Sequence, residues 1–346
     1  MIEKEMNWFE RVPKVELHVH LEGSIPLDVL WQLVQKYGGD PNVPDLLALQ
    51  KKFEYRDFPH FLETWMWKNG FLREYQDFTL IAQAVAHDLA RQNVRYAEVF
   101  FSPSDFARHG LQTQHLTEAI RAGLDRASRA STQEASCAVA LVADLVRDNT
   151  PAKAAAILAE LNEVQDLGVI GIGIGGAEQG YPPEPFEQVY EQARKLGFHT
   201  SAHAGEAAGA ESIWGAIRHL KVDRIGHGTR AYEDERLLDH LAKHRIPLEM
   251  CPISNHRTGV VSSIQDHPVR RYFERGIVVT VNTDDPKMFG NSLAQEYALL
   301  ETELGFSRDE VRTVILQGIL SSWLSSTDKQ QLVETFCANP CWKDDA

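Results

Sequence analysis

The sequence predicts an α/β fold in the form of a single (β/α)8 barrel, and three observations carry that reading. Short β-rich apolar segments recur eight times, longer helical patterns separate them, and polar residues gather at the segments' C-terminal ends. In chain order the segments are VELHVH (15–20), RYAEVFFS (95–102), AVALVADL (138–145), VIGIGI (169–174), HTSAHAG (199–205), DRIGHG (223–228), IPLEMC (246–251) and IVVTVN (277–282). An open doubly wound sheet is the alternative topology.

The first segment is followed by a stretch, 24–94, too long for a simple crossover. Extra helices are therefore expected over one mouth of the barrel, with Phe53, Phe58, Phe61, Leu62, Trp65 and Trp67 as apolar lining. After the third segment, TPAKAAAILAELNEVQDLG spaces Ala156, Leu158, Leu161 and Val164 at helical intervals ahead of a glycine stop. The fourth runs into GIGIGGAE (171–178), but Gly171, Gly173, Gly175 and Gly176 do not give the G-x-G-x-x-G of a dinucleotide site. A strand end this rich in glycine instead lets backbone N–H groups approach a flat ring. His18 and His20 end the first segment, His203 the fifth, His227 the sixth, and Asp284 with Asp285 the eighth. In a barrel those ends meet at one mouth. No linker or repeat interrupts the series, so one domain is expected over 1–346, the barrel at about 8–320 and a helical tail at 321–346.

Composition narrows the function. A net charge of −14, from 35 Lys and Arg against 49 Asp and Glu, opposes nucleic-acid binding, which depends on basic patches. The first residues, MIEKEMNWFERV, hold no apolar leader, and no stretch reaches the ~18 apolar residues of a membrane span. A soluble cytoplasmic protein with a small free ligand is expected; homo-oligomerisation is left open. Cys137, Cys251, Cys337 and Cys341 are too few for a disulfide scaffold, and reduced thiols are expected.

Residues i and i+2 of a strand share a face, so His18 and His20 can present two imidazoles in one direction. Fourteen histidines produce roughly 0.6 such pairs by chance, so the spacing alone decides little. Context decides more: two inward-facing histidines among bulky apolar residues need partners, and a metal supplies them. His203 and Asp284 complete a His3Asp set suited to zinc with a position left open for water. Glu206, three residues beyond His203, is the candidate for moving protons. His227 is read as orienting the attacking oxygen, with Gly226 and Gly228 permitting close approach. Of two adjacent aspartates, one held by a cation leaves Asp285 to face the substrate. His60, His87, His109, His115 and His240 are read as surface or packing residues.

Together PKVELHVHLEGS (13–24), SAHAGE (201–206), RIGHG (224–228), CPISN (251–255) and VNTDDP (281–286), in that order, resemble the adenosine and adenine deaminases of the amidohydrolase superfamily. FEYRDFPHFLE (53–63) and YAEVFFSP (96–103) resemble the adenosine-deaminase branch. The resemblance implies one zinc ion per subunit on His18, His20, His203 and Asp284, with Glu206 as the proton shuttle at ring N1 and His227 assisting the hydroxide. It also implies that Gly176 and Asp285 hydrogen-bond purine N3 and N7, and that ammonia leaves C6 to give a 6-oxopurine.

Two departures fall on substrate recognition. Glu22 stands where many adenosine deaminases carry an aspartate that contacts the ribose 5′-hydroxyl, and IGGAE (174–178) stands where they often read LAGDE. The expected substrate is adenosine or a close analogue, with aminodeoxyfutalosine or free adenine as the alternative. A metal-dependent amidase and a non-catalytic binding protein on the same barrel are further alternatives, although an inactive relative would be expected to have lost Glu206 or a ligand.

Overall fold

The computed structural model describes residues 7–130 and 136–343. Eight strands, β1 Lys14–His20, β2 Val94–Phe101, β3 Ala138–Asp144, β4 Val169–Gly173, β5 His199–Ala204, β6 Arg224–His227, β7 Leu248–Met250 and β8 Val279–Val281, stand side by side in chain order. Every neighbouring pair is parallel. With helices between them this is the (β/α)8 barrel the sequence predicts.

The barrel closes at the seam between β8 and β1. There the ladder is reduced to a bridge between Val19 and Asp284, with Asp284 N–H donating to the His18 carbonyl at 3.0 Å and His20 N–H to the Asp284 carbonyl at 2.9 Å. Below it, side chains replace backbone pairing. Leu17 N–H donates to Asn282 Oδ1 at 2.9 Å, and Thr283 N–H donates to the buried Glu16 carboxylate at 2.7 Å. Closing the barrel and placing Asp284 between His18 and His20 are thus one structural event.

The long insertion forms helices Leu27–Lys36, Leu46–Lys51, Phe58–Asn69 and Tyr75–Arg91. Asp57 caps the third, its carboxylate accepting from His60 N–H, and Pro59 occupies the first turn, where its missing N–H costs nothing. Phe58, Phe61, Leu62 and Trp65 of that helix line the mouth as expected. Phe53 and Trp67 do not reach the cavity: Phe53 packs behind it, against the cluster of Phe61, Met288 and Phe289 and against the main core, and the Trp67 indole turns away to donate to Asp40 at 2.7 Å. Helix Pro151–Glu163 also corrects the sequence reading, because Ala154, Ile157, Leu158 and Leu161 form its buried face while Ala156 is exposed.

Helix Arg308–Ser321 packs across β8 and β1. Beyond it the chain is tied to the N-terminal end of β6: Arg224 Nη1 donates to the Ser321 carbonyl, and its guanidinium lies 3.7 Å from the Trp323 ring. Helix Ser326–Ala338 then adds buried Phe336. Among the described residues no helix is long and apolar enough to cross a membrane, and all four cysteines are free thiols.

Candidate active site

A cavity of about 300 Å³ opens at the C-terminal ends of the strands. Its inner end is formed by His20, Asp144, Gly175, Gly176, His203, Glu206, Asp284 and Asp285; Phe58, Leu62, Trp65, Met66, Asp105 and Arg108 surround its outer part. His60, His87, His109, His115 and His240 stand outside it, as the sequence predicts.

The structure brings His18, His20 and His203 together, one ring nitrogen of each lying within 4.8 Å of the others. Asp284 Oδ1 stands 3.6 Å from His18 Nε2 and 3.3 Å from His20 Nε2. Asp284 adopts φ +64°, a left-handed conformation costly for a side-chain-bearing residue, and Ser254 Oγ fixes its carboxylate by donating at 2.6 Å. His18 Nε2 and His203 Nε2 are buried without a hydrogen-bond partner. Buried imidazole nitrogens aimed at one point and at a carboxylate fit a divalent cation, and the three-nitrogen, one-oxygen donor set suits zinc.

The orientation of His18 comes from behind. Its Nδ1 lies 2.7 Å from Glu249 Oε2, which fixes the proton on Nδ1 and turns the Nε2 lone pair toward the centre. Arg224 holds Glu249 with Nε at 2.5 Å and pairs with Glu98 through Nη2. Burial raises the Glu249 pKa, but Arg224 and His18 outweigh it and bring the group to about 2, so the anion persists. Gly226 makes room: a Cβ there would sit 2.9 Å from His18 Cε1.

Electrostatics sort the remaining groups. Burial and then the carboxylates of Asp284, Glu178 and Asp285 push Glu206 well above the ordinary range, so it holds a proton. Burial and Asp284 raise Asp285 to about 8. Burial lowers His227 to about 3, leaving it neutral. Burial opposes a proton on His20, yet Asp284, Asp285 and Asp144 raise its pKa to about 10. Glu206 Oε2 lies 3.6 Å from His203 Nδ1 and 3.5 Å from His227 Nε2, central to both.

Glu22, which the family resemblance sets against the substrate, is fully buried behind the cavity wall, and its Oε2 has no hydrogen-bond partner. It accepts Ser102 N–H at 3.0 Å, and its own carbonyl accepts from Lys68 Nζ at 2.8 Å. Glu22 therefore braces the wall from behind. Four residues escaped notice: Glu249, Asn255, Asp144 and Glu178. Each carried a signal, since Glu249 interrupts an apolar strand, Asp144 ends one, and Asn255 and Glu178 lie in motifs already singled out. Glu178 accepts N–H groups from Gly205, Glu206, Ala207 and Ala208 at 2.6–3.1 Å, so one carboxylate shapes the loop that carries Glu206.

Residues 13–338 match the family model described as adenosine deaminase. The chain is 34% identical over 333 residues to aminodeoxyfutalosine deaminase of Streptomyces avermitilis, covering 94% of this chain and 92% of that one. Among solved structures, an adenine deaminase from Arthrobacter aurescens superposes with a TM-score of 0.87 at 32% identity, covering 94% of this chain and 98% of that one. An amidohydrolase from Burkholderia ambifaria with bound zinc superposes with a TM-score of 0.85 at 27% identity, covering 98% and 97%. The match extends through helix Ser326–Ala338, beyond the limit near 320 that the sequence motifs suggested. The chain belongs to the adenosine deaminase family, hydrolases that act on C–N bonds of the purine ring.

Proposed function

We propose that this protein is a zinc-dependent aminohydrolase that replaces the 6-amino group of adenosine, or a close adenosine analogue, with oxygen. The observation that carries the proposal is the convergence of three imidazoles and Asp284 at the inner end of the cavity, two of the imidazoles and Asp284 lining its wall beside Glu206. His18, His20, His203 and Asp284 would hold one ion per chain. When bound, zinc supplies a Lewis acid that lowers the pKa of water from about 15.7 to about 7.

The chain's own residues perform the rest. Glu206 gives its proton to ring N1 as oxygen adds to C6; of the two protons of the attacking water, one passes through Glu206 to the amino group, which leaves as ammonia, and the other restores the Glu206 acid as the C6 carbonyl forms. Purine N3 and N7 are acceptors, so they need donors. Gly176 N–H meets N3, and Asp285, pushed up to about 8, carries the proton that meets N7.

Beyond the ring-binding end, Phe58, Leu62, Trp65, Asp105 and Arg108 leave room for a substituent on the purine, which supports a nucleoside over free adenine. The relatives named for aminodeoxyfutalosine and adenine support the second reading, a modified nucleoside or the free base. The test is kcat/KM by ammonia release from adenosine, 5′-deoxyadenosine, aminodeoxyfutalosine and adenine, with zinc measured in the same sample. Adenosine within a thousandfold of the best substrate supports the first reading. A larger gap, roughly 4 kcal/mol of transition-state discrimination, overturns it in favour of the second.

A further inference from the structure

Hydrogen-bond directions beyond His227 can be read from a fixed starting point. Val269 N–H can only donate, and it donates to His267 Nδ1 at 3.4 Å. His267 is buried, and burial lowers its pKa to about 3, so the ring is neutral and its single proton sits on Nε2. That Nε2 lies 3.1 Å from Asn255 Oδ1, which also accepts from Thr229 Oγ1 at 2.8 Å. With its oxygen facing two donors, the Asn255 amide must turn its NH2 group to His227 Nδ1, 3.1 Å away. A nitrogen that accepts carries no proton, so the ring proton of His227 is on Nε2, the atom that faces Glu206 Oε2 at 3.5 Å.

We infer that Asn255 and His267 are positioning residues that lock His227 as the Nε2–H tautomer, making it an obligate hydrogen-bond donor in the active site. Neither residue touches the cavity, and the lock runs outward from it to a surface groove that His267 lines beside Tyr232 and Arg271. His227 is fully buried, so its ring has little freedom to turn out of the arrangement. The consequence for catalysis rests on the proposed deamination. An Nε2–H group stabilises negative charge on the attacking oxygen and can be neither a metal ligand nor a base through that atom, which leaves proton transfer to Glu206. The tautomer assignment itself does not depend on any substrate.

The test is long-range proton–nitrogen NMR on folded, metal-loaded protein carrying ¹⁵N-histidine, with the His227 signals assigned by their loss in His227→Gln. The expected result is an unprotonated Nδ1 and a protonated Nε2. The opposite pattern, or an even mixture, overturns the inference whatever the enzyme's activity. Asn255→Asp presents only acceptors to Nδ1, so the proton should move to Nδ1 and kcat should fall about a hundredfold with zinc content unchanged. His267→Leu should release the amide and lower kcat, and His267→Gln, which restores a donor, should recover at least tenfold of that loss. Equal activities in the Leu and Gln variants would show that His267 only fills space. If the tautomer is as expected but no purine is deaminated, the lock stands and the proposed reaction falls.

Discussion

Glu206 and the metal-facing residues separate two kinds of failure. His18→Ala or Asp284→Ala removes one of four proposed ligands and should lower zinc content and activity together, with metal analysis beside a thermal melt showing whether the barrel persists. Glu206→Gln keeps shape but cannot exchange a proton, and kcat should fall by about a hundredfold or more with zinc retained. A Glu206→Gln enzyme within tenfold of wild type would place the proton shuttle elsewhere. At this scale the sequence was readable because these residues lie near or just beyond the C-terminal ends of strands, which in a barrel meet at one mouth. Glu22 is set behind the wall for a physical reason. Its neighbour Gly23 approaches Asp285 so closely that a Cβ would meet the carboxylate oxygen at 1.7 Å, and the tight turn after β1 sends Glu22 into the wall toward Ser102. No spacing rule reveals which way such a turn faces.

Two elements set the geometry that these residues use. The loop after β5 hangs on Glu178, whose carboxylate takes four consecutive N–H groups, so Glu178→Ala should leave buried donors unpaired. The expected cost is about 3 kcal/mol or more, read as a lower melting temperature, together with a kcat loss above tenfold. Helix Phe58–Asn69 is fastened over the cavity by Asp105, which accepts from Trp65 Nε1 at 3.0 Å and Asn69 Nδ2 at 3.1 Å. Asp105→Ala should loosen that wall and raise KM about tenfold while zinc content holds, and an unchanged KM would mean that the helix is fixed by apolar packing alone. The existence of this helix was legible in the length and aromatic content of 24–94. The faces of Phe53 and Trp67 were not, because tertiary partners such as Asp40 chose them.

Across the whole molecule, buried carboxylates make stability depend on pH. Glu296 lies under the mouth, accepting from Asn291 Nδ2 at 2.7 Å and Ile253 N–H at 3.3 Å, and burial raises its pKa well above 4.5. A raised folded-state pKa gives stability that is full below the unfolded value and lost as pH rises through the folded one. Wild type should therefore lose melting temperature relative to Glu296→Gln as pH rises above the ordinary carboxylate range, and parallel curves would contradict this. The barrel was legible because parallel strands are continuous apolar runs and the segments alternate with helices. The β8–β1 seam was not, since Glu16 and Asn282 close it through side chains 267 and 265 residues apart in sequence. The central claim, hydrolytic replacement of the 6-amino group, is tested most directly in ¹⁸O-water. With its best purine substrate, the zinc-loaded enzyme should release one ammonia per turnover and place one labelled oxygen at C6. Unlabelled product, or label at any other carbon, would contradict it.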